Sequence, residues 1–264
     1  MKKGLTQFCL GRNSLIQDGL ALCRDIGYQG LEILLTEHGE LTMHSGPQDY
    51  ERIREMSLDF GVELTSICGP VSFTDEEPEV GRQSRAQVRK MLEAAAYLGI
   101  DTVLVTGGRV TESTAYDTAY DRFLRALQEL RVDAEYHRVN LAVENIWNKL
   151  LLSPLEFRGF IDEVGSPYVG SFFDTGNVML YGFPEQWIRI LGRRVKKVHF
   201  KDFSIDHRER TYEWRQLMSG SVNWPEVMRE LRAIGYDDYV ISEVDGDRET
   251  FAETCRVMDR ILEL

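Results

Sequence analysis

Glu144 in LAVEN, Asp174 in FFDTGN, His199 in KVHFKD and Glu243 in YVISEV each follow a short apolar run and precede a break in it. Three carboxylates and an imidazole form a hard, oxygen-rich donor set without a thiolate. That set argues against a structural zinc site and suits Mn²⁺ first, with Mg²⁺, Co²⁺ or Zn²⁺ also able to occupy it. Any one of these residues alone has an ordinary explanation. Asp174 before Thr-Gly-Asn would serve as a helix cap, and His199 as a satisfied buried histidine. Four on successive strands are different, because burying three acids and a histidine together without a cation is costly.

Such donors need a scaffold that brings four strand ends to one place. Strand-like apolar runs recur at 5–10, 30–35, 62–68, 101–107, 140–145, 169–174, 195–200 and 238–244. Between them the periodicity is helical. Val88, Met91, Leu92, Ala95 and Leu98 repeat at spacings of three and four, and Gly99 then supplies a stop. Leu124, Leu127 and Leu130 mark the next helix, and Asn223 with Glu226 reads as a capping box that tolerates Pro225 in its first turn. Strands alternating with helices over this length predict an α/β fold: a (β/α)8 TIM barrel forming one domain over residues 1–264, with the donors at the C-terminal ends of strands five to eight. A doubly wound open sheet is the competitor, but LTQFCLGRNSL after the first strand holds no GxGxxG turn. The coils at 69–84 and 203–222 are the longest and are expected to form much of the rim around the site.

Composition narrows the partners. The chain has 264 residues, 43% of them hydrophobic and 28% charged, which is enough to bury a full core. A formal charge of −12 argues against nucleic acid or an anionic membrane as a partner. The basic cluster of Arg193, Arg194, Lys196 and Lys197 is short and reads as a solvated edge. No apolar run approaches the ~20 residues of a transmembrane helix. The start, MKKGLTQFCLGRNSL, has too short an apolar core for a signal peptide. Cys9, Cys23, Cys68 and Cys255 are scattered without a CxxC pair, which points to thiols in a reducing cytoplasm. The expected partner is a small molecule, and assembly into a homo-oligomer is left open.

ENIWN, FDTGN, VHFKD, the SGSVNWPEV turn and the final GYDDYVISEV, in this order and spacing, resemble the xylose-isomerase-like barrel superfamily of sugar phosphate isomerases and epimerases. Within it the chain is most similar to the ketose 3-epimerases, both the tagatose/psicose type and the ribulose- or xylulose-5-phosphate type. The resemblance is densest from about 140 to 245. It implies a divalent cation at Glu144, Asp174, His199 and Glu243, and a sugar or sugar phosphate as substrate. The implied chemistry is proton transfer beside a ketose carbonyl, with the cation stabilising the enediolate. Glu144 and Glu243, at the family's matching positions, are implied as the two proton-transfer carboxylates, with Asp174 and His199 mainly ligands. A carboxylate in that role needs its pKa raised from the usual ~4.3 by a low-dielectric pocket.

Further substrate contacts are expected around this centre. Trp147 could cover the sugar ring or pack between helices, Lys149 could reach a phosphate, and Asn145 adjoins Glu144. Glu32 could hydrogen-bond a sugar hydroxyl or Lys201, and Lys201 with Asp202 could orient the ligand shell. His207, Arg208 and Arg210 with Lys201 place cationic groups after strand seven, where barrels of this kind often bind phosphate. The pattern also departs from the free-sugar 3-epimerases. Asn177 stands where those enzymes often carry a substrate-binding histidine, Leu150 where they carry a glutamate, and Ile205 where an arginine is common. Free ketose, phosphorylated ketose and an inositol-like ring all stay open as substrates. A 2-keto-inositol or hydroxy-acid isomerase or dehydratase is the alternative activity. An abasic-site nuclease needs more than the five histidines present and a basic track, and a non-catalytic carbohydrate-binding barrel would be expected to lack a ligand.

Overall fold

Parallel strands cannot be joined by a tight turn, so each crossover must run over one face of the sheet, and a helix that buries an apolar stripe is the usual way to do so. The computed structural model describes residues 1–11, 14–206, 208–209 and 211–264. Among them β1 (Lys2–Thr6), β2 (Gly30–Leu34), β3 (Glu63–Cys68), β4 (Thr102–Val105), β5 (Asn140–Glu144), β6 (Val169–Asp174) and β7 (Val195–Phe200) are parallel neighbours in sequence order. An antiparallel hairpin of β8 (Asp202–Asp206) and β9 (Thr211–Arg215) follows, and β10 (Tyr239–Ser242) then pairs with both β7 and β1 to close an eight-stranded TIM barrel. Among the described residues no helix is long and apolar enough to cross a membrane.

The crossover helices are α1 (Ile16–Ile26), α2 (Pro47–Phe60), α3 (Pro78–Leu98), α4 (Tyr116–His137), α5 (Pro154–Val164), α6 (Pro184–Leu191) and α7 (Trp224–Ala233), and α8 (Arg248–Leu262) follows the last strand. In α3 the periodic residues Val88, Met91, Leu92 and Ala95 are buried and Leu98 is half-buried, and Gly99 ends the helix in the left-handed conformation. Between barrel and helices lies the main core. A second, smaller cluster fills the barrel itself: Leu104, Ala142, Phe172, Tyr239 and Ile241, with Cys68 against it. Gly30 makes room there, since a Cβ would collide with Thr65 and with the Tyr239 ring. This plug is the floor under the strand ends, and Phe172 lies 4.5 Å from the His199 ring.

Several local expectations are corrected. The first strand does not run over 5–10: the Thr6 side chain accepts from the Phe8 N–H and starts a 3-10 turn over Gln7–Leu10. The coil expected at 69–84 stops earlier, because α3 begins at Pro78. The one expected at 203–222 contains the β8–β9 hairpin. Asn223 makes no side-chain cap bond, and Glu226 instead pairs with Arg229. Lys197 is not a solvated edge residue. It shares the inward face of β7 with His199, is 2% exposed, and reaches Asp101 and Asp238 at 2.9 and 2.6 Å below the apolar plug.

Phe172→Ala should therefore destabilise the barrel by about 3–5 kcal/mol, the usual effect of emptying a large aromatic site in a closed core. Urea unfolding should show a lower midpoint with an unchanged slope. A loss well below 1 kcal/mol would mean that the plug does not support the strand ends.

Candidate functional site

Strand register decides which side chains meet. Asp174 at the end of β6 is paired with His199 on β7, Glu144 ends β5 beside Phe172, and the Glu243 N–H just past β10 donates to the Phe200 carbonyl at 3.1 Å. Glu144, Asp174, His199 and Glu243 thereby present one donor atom each, all within 4.8 Å of one another. His199 Nδ1 faces Glu144 Oε1 at 3.3 Å and Glu243 Oε2 at 3.2 Å, so the imidazole is turned edge-on to the carboxylates.

Burial and neighbours give these groups unequal proton affinities. Burial raises the Asp174 carboxyl well above the usual carboxylate range and also raises Glu144. For Glu243 burial acts in the same direction, but the hydrogen bond and charge of His199 and the ammonium of Lys201 outweigh it and hold the carboxyl low. Burial pushes His199 down, yet Glu32, Glu144 and Glu243 together hold it well above the ordinary histidine value.

The donor set fits a divalent cation on one specific observation. Asp174 is wholly buried and its Oδ1 accepts the Asn177 N–H at 2.6 Å, whereas its Oδ2 has no hydrogen-bond partner. Glu243 Oε2 is likewise buried and meets the His199 Nδ1 edge at 3.2 Å. A buried carboxylate oxygen is rarely left unpaired, and one set beside an imidazole and two further carboxylates is what a cation site requires. The far side of the imidazole is also arranged as in metal sites. Nε2 lies 3.1 Å from Glu32 Oε1, and Glu32 is held in turn by Thr6 and Ser66, each at 2.7 Å. A carboxylate behind a histidine sets its tautomer and ring orientation.

The expected substrate contacts are thus partly rearranged. Glu32 is 1% exposed and hydrogen-bonded to Thr6, Ser66 and His199, while Lys201 pairs with Glu243. Asn145 is turned to the backbone: its amide exchanges two 3.0 Å bonds with the main chain of Asp174 and ties β5 to β6. Asn177 opens a 3-10 turn and accepts the Trp147 indole N–H at its carbonyl. Trp147 is partly exposed, stacks on Trp214 of the hairpin at 4.7 Å and meets Phe203 edge-on. Lys201 reaches Glu243 Oε1 at 2.9 Å. Asp202 serves the turn at 220–224 instead, accepting from Gly220, Val222 and Trp224. Lys149 is exposed in a left-handed conformation, and Arg208 is exposed in the turn after β8, away from Lys201 along the hairpin. His207 and Arg210 lie outside the described residues.

Thr6, Ser66 and Trp214 have positioning roles that the motifs did not reveal.

A family model described as "Xylose isomerase-like TIM barrel" matches residues 20–261. Among characterised proteins, a 2-epi-5-epi-valiolone 7-phosphate 2-epimerase from an Actinoplanes species is 25% identical over 75% of this chain and 72% of its own length. A D-tagatose 3-epimerase-like protein superposes with a TM-score of 0.82 at 21% identity, covering 100% of this chain and 97% of that one. The IOLI protein, solved with a zinc atom, gives 0.81 at 17% identity over 100% and 98%.

Protein loaded with Mn²⁺ and then dialysed should retain one ion per chain by elemental analysis, and an Asp174→Ala, His199→Ala double variant should retain none. Because a histidine and carboxylates must be deprotonated to bind, affinity should fall as pH is lowered. Unchanged metal content in the double variant would remove the site.

Proposed function

The chain belongs to the xylose isomerase-like TIM barrel family, and we propose that within it the protein is a divalent-metal-dependent sugar epimerase acting on a ketose or a ketose phosphate. The observation that carries this reading is the convergence of Glu144, Asp174, His199 and Glu243 at one end of the barrel, with Asp174 Oδ2 buried and unpaired. The names of the similar proteins, epimerases of sugars or of a 7-phosphate, support the same class.

The residues divide the work. Glu144, Asp174, His199 and Glu243 would hold the cation, which when bound polarises a carbonyl oxygen and acidifies the neighbouring carbon. Glu144 and Glu243 come from β5 and from the end of β10, with β6 and β7 between them, so they approach a bound sugar from different sides. One removes the hydrogen beside the carbonyl, and the other returns a proton to the opposite face of the resulting enediolate. Without a cation, burial favours the protonated form of Glu144, whereas His199 and Lys201 favour the carboxylate of Glu243. Trp147 and Trp214, stacked beside the mouth, give an apolar wall that limits water at the reacting carbon. Arg208 and Lys149, both exposed, are candidates for the far end of a phosphorylated substrate.

A panel of ketoses and ketose phosphates incubated with Mn²⁺-loaded protein in D₂O tests the proposal through deuterium uptake beside the carbonyl. Glu144→Gln and Glu243→Gln, checked for retained metal and fold, should each lower turnover by about 10²–10⁴-fold. If one variant exchanged the substrate hydrogen at nearly the wild-type rate, the two-carboxylate mechanism would give way to a single-base isomerase. No exchange with any ketose would direct attention to the inositol-like and hydroxy-acid substrates.

A further inference from the structure

Lys201 follows β7 directly, and its root is fixed. Its N–H donates to Thr175 Oγ1 at 3.0 Å, and that hydroxyl donates to the Lys201 carbonyl at 2.8 Å. The side chain then runs across Trp214, with its ammonium 4.5 Å from the ring centroid, and ends on Glu243 Oε1 at 2.9 Å. Gly176 permits this path, since a Cβ there would press on both Lys201 and Trp214 at 3.0 Å. Trp214 is itself backed by Trp147 and Phe203. Root, stem and tip are therefore all constrained. Among the described residues Lys201 is the one lysine or arginine paired with a ligand of the cluster.

The two oxygens of Glu243 have different surroundings. Oε1 is taken by the ammonium, while Oε2 faces His199 Nδ1 at 3.2 Å. Resting on the metal reading above, we propose that Lys201 is a positioning residue that reserves Oε1 of Glu243, confines that carboxylate to one oxygen for the cation, and sets the affinity of the site below what its four donors would give alone.

The physical reason is charge. An ammonium and a divalent ion on opposite oxygens of one carboxylate repel each other, and at a buried site neither water nor salt screens them well. The ammonium also draws electron density from the shared carboxylate and so weakens it as a donor. In exchange, Glu243 is locked in one orientation, with a defined oxygen towards the cation and a defined oxygen towards the mouth. Loss of the charge should both relieve the repulsion and free Oε1 to join the ion.

Calorimetric titration with Mn²⁺ of the wild type, Lys201→Met and Lys201→Arg, each checked for fold by circular dichroism, tests this. Methionine keeps an apolar stem against Trp214 and removes the charge; arginine keeps the charge. Lys201→Met should bind Mn²⁺ at least about tenfold more tightly than the wild type, and Lys201→Arg should stay within about threefold of it. Damage to packing lowers affinity, so a gain is a signature that a structural role alone would not produce. Equal or weaker binding by Lys201→Met would overturn the proposal, as would Lys201→Arg binding as tightly as Lys201→Met. If the wild type itself bound no Mn²⁺, the metal reading would fail first and the role of Lys201 with it.

Discussion

Among the described residues, four carboxylates share one nearly dry space with a single imidazole and a single ammonium: Glu32, Glu144, Asp174 and Glu243 around His199 and Lys201. Charges buried in that imbalance destabilise the fold unless something compensates them, and the rest of the structure can be read as that compensation. Thr6 and Ser66 hydrogen-bond Glu32, the Asn177 N–H neutralises one oxygen of Asp174, and Lys201 takes one oxygen of Glu243. What remains is an unpaired oxygen on Asp174, and the Glu243 oxygen that meets the Nδ1 edge of His199. A divalent cation completes the balance, and the chemistry proposed for the site follows from its presence.

The barrel makes such a concentration possible. Glu144, Asp174 and His199 are fixed by strand register, and Glu243, one residue past β10, by the bond from its N–H to the Phe200 carbonyl. Beneath it, Phe172 and its apolar neighbours keep water from the lower face, and Lys197 with Asp101 and Asp238 seals the opposite end of β7. β7 thus carries Lys197 low and His199 in the site, and Lys201 follows just beyond its end. Above the mouth, the β8–β9 hairpin is anchored at Asp202, which lies beside Gly220 in a contact that a larger residue would break. That anchor sets where Trp214, and therefore Lys201, can lie.

Much of this was legible in the sequence, for identifiable reasons. Fully buried parallel strands read as short apolar runs, and the break after each run marked where Glu144, Asp174, His199 and Glu243 would stand. The helices were visible wherever the apolar stripe was regular, as in α3. Errors came where one hydrogen bond overrides a pattern. Thr6 ended β1 four residues before the apolar run did, and Asn223 looked like a cap but does not act as one. The partners of Glu32, Asn145 and Lys197 were not legible, for a shared reason. Their partners, His199, Asp174 and Asp238, are far away in the chain, and a sequence pattern does not show which neighbour a buried polar group will choose.

The central claim is that these strand ends form one cation site, and a crystal grown with Mn²⁺ tests it most directly through the anomalous difference map recorded at the manganese edge. The account predicts a single strong peak per chain, within bonding distance of Asp174 Oδ2, His199 Nδ1 and oxygens of Glu144 and Glu243, with Glu32 behind the imidazole and not bonded to the ion. A peak elsewhere, or an ordered site without one at saturating Mn²⁺, would contradict it.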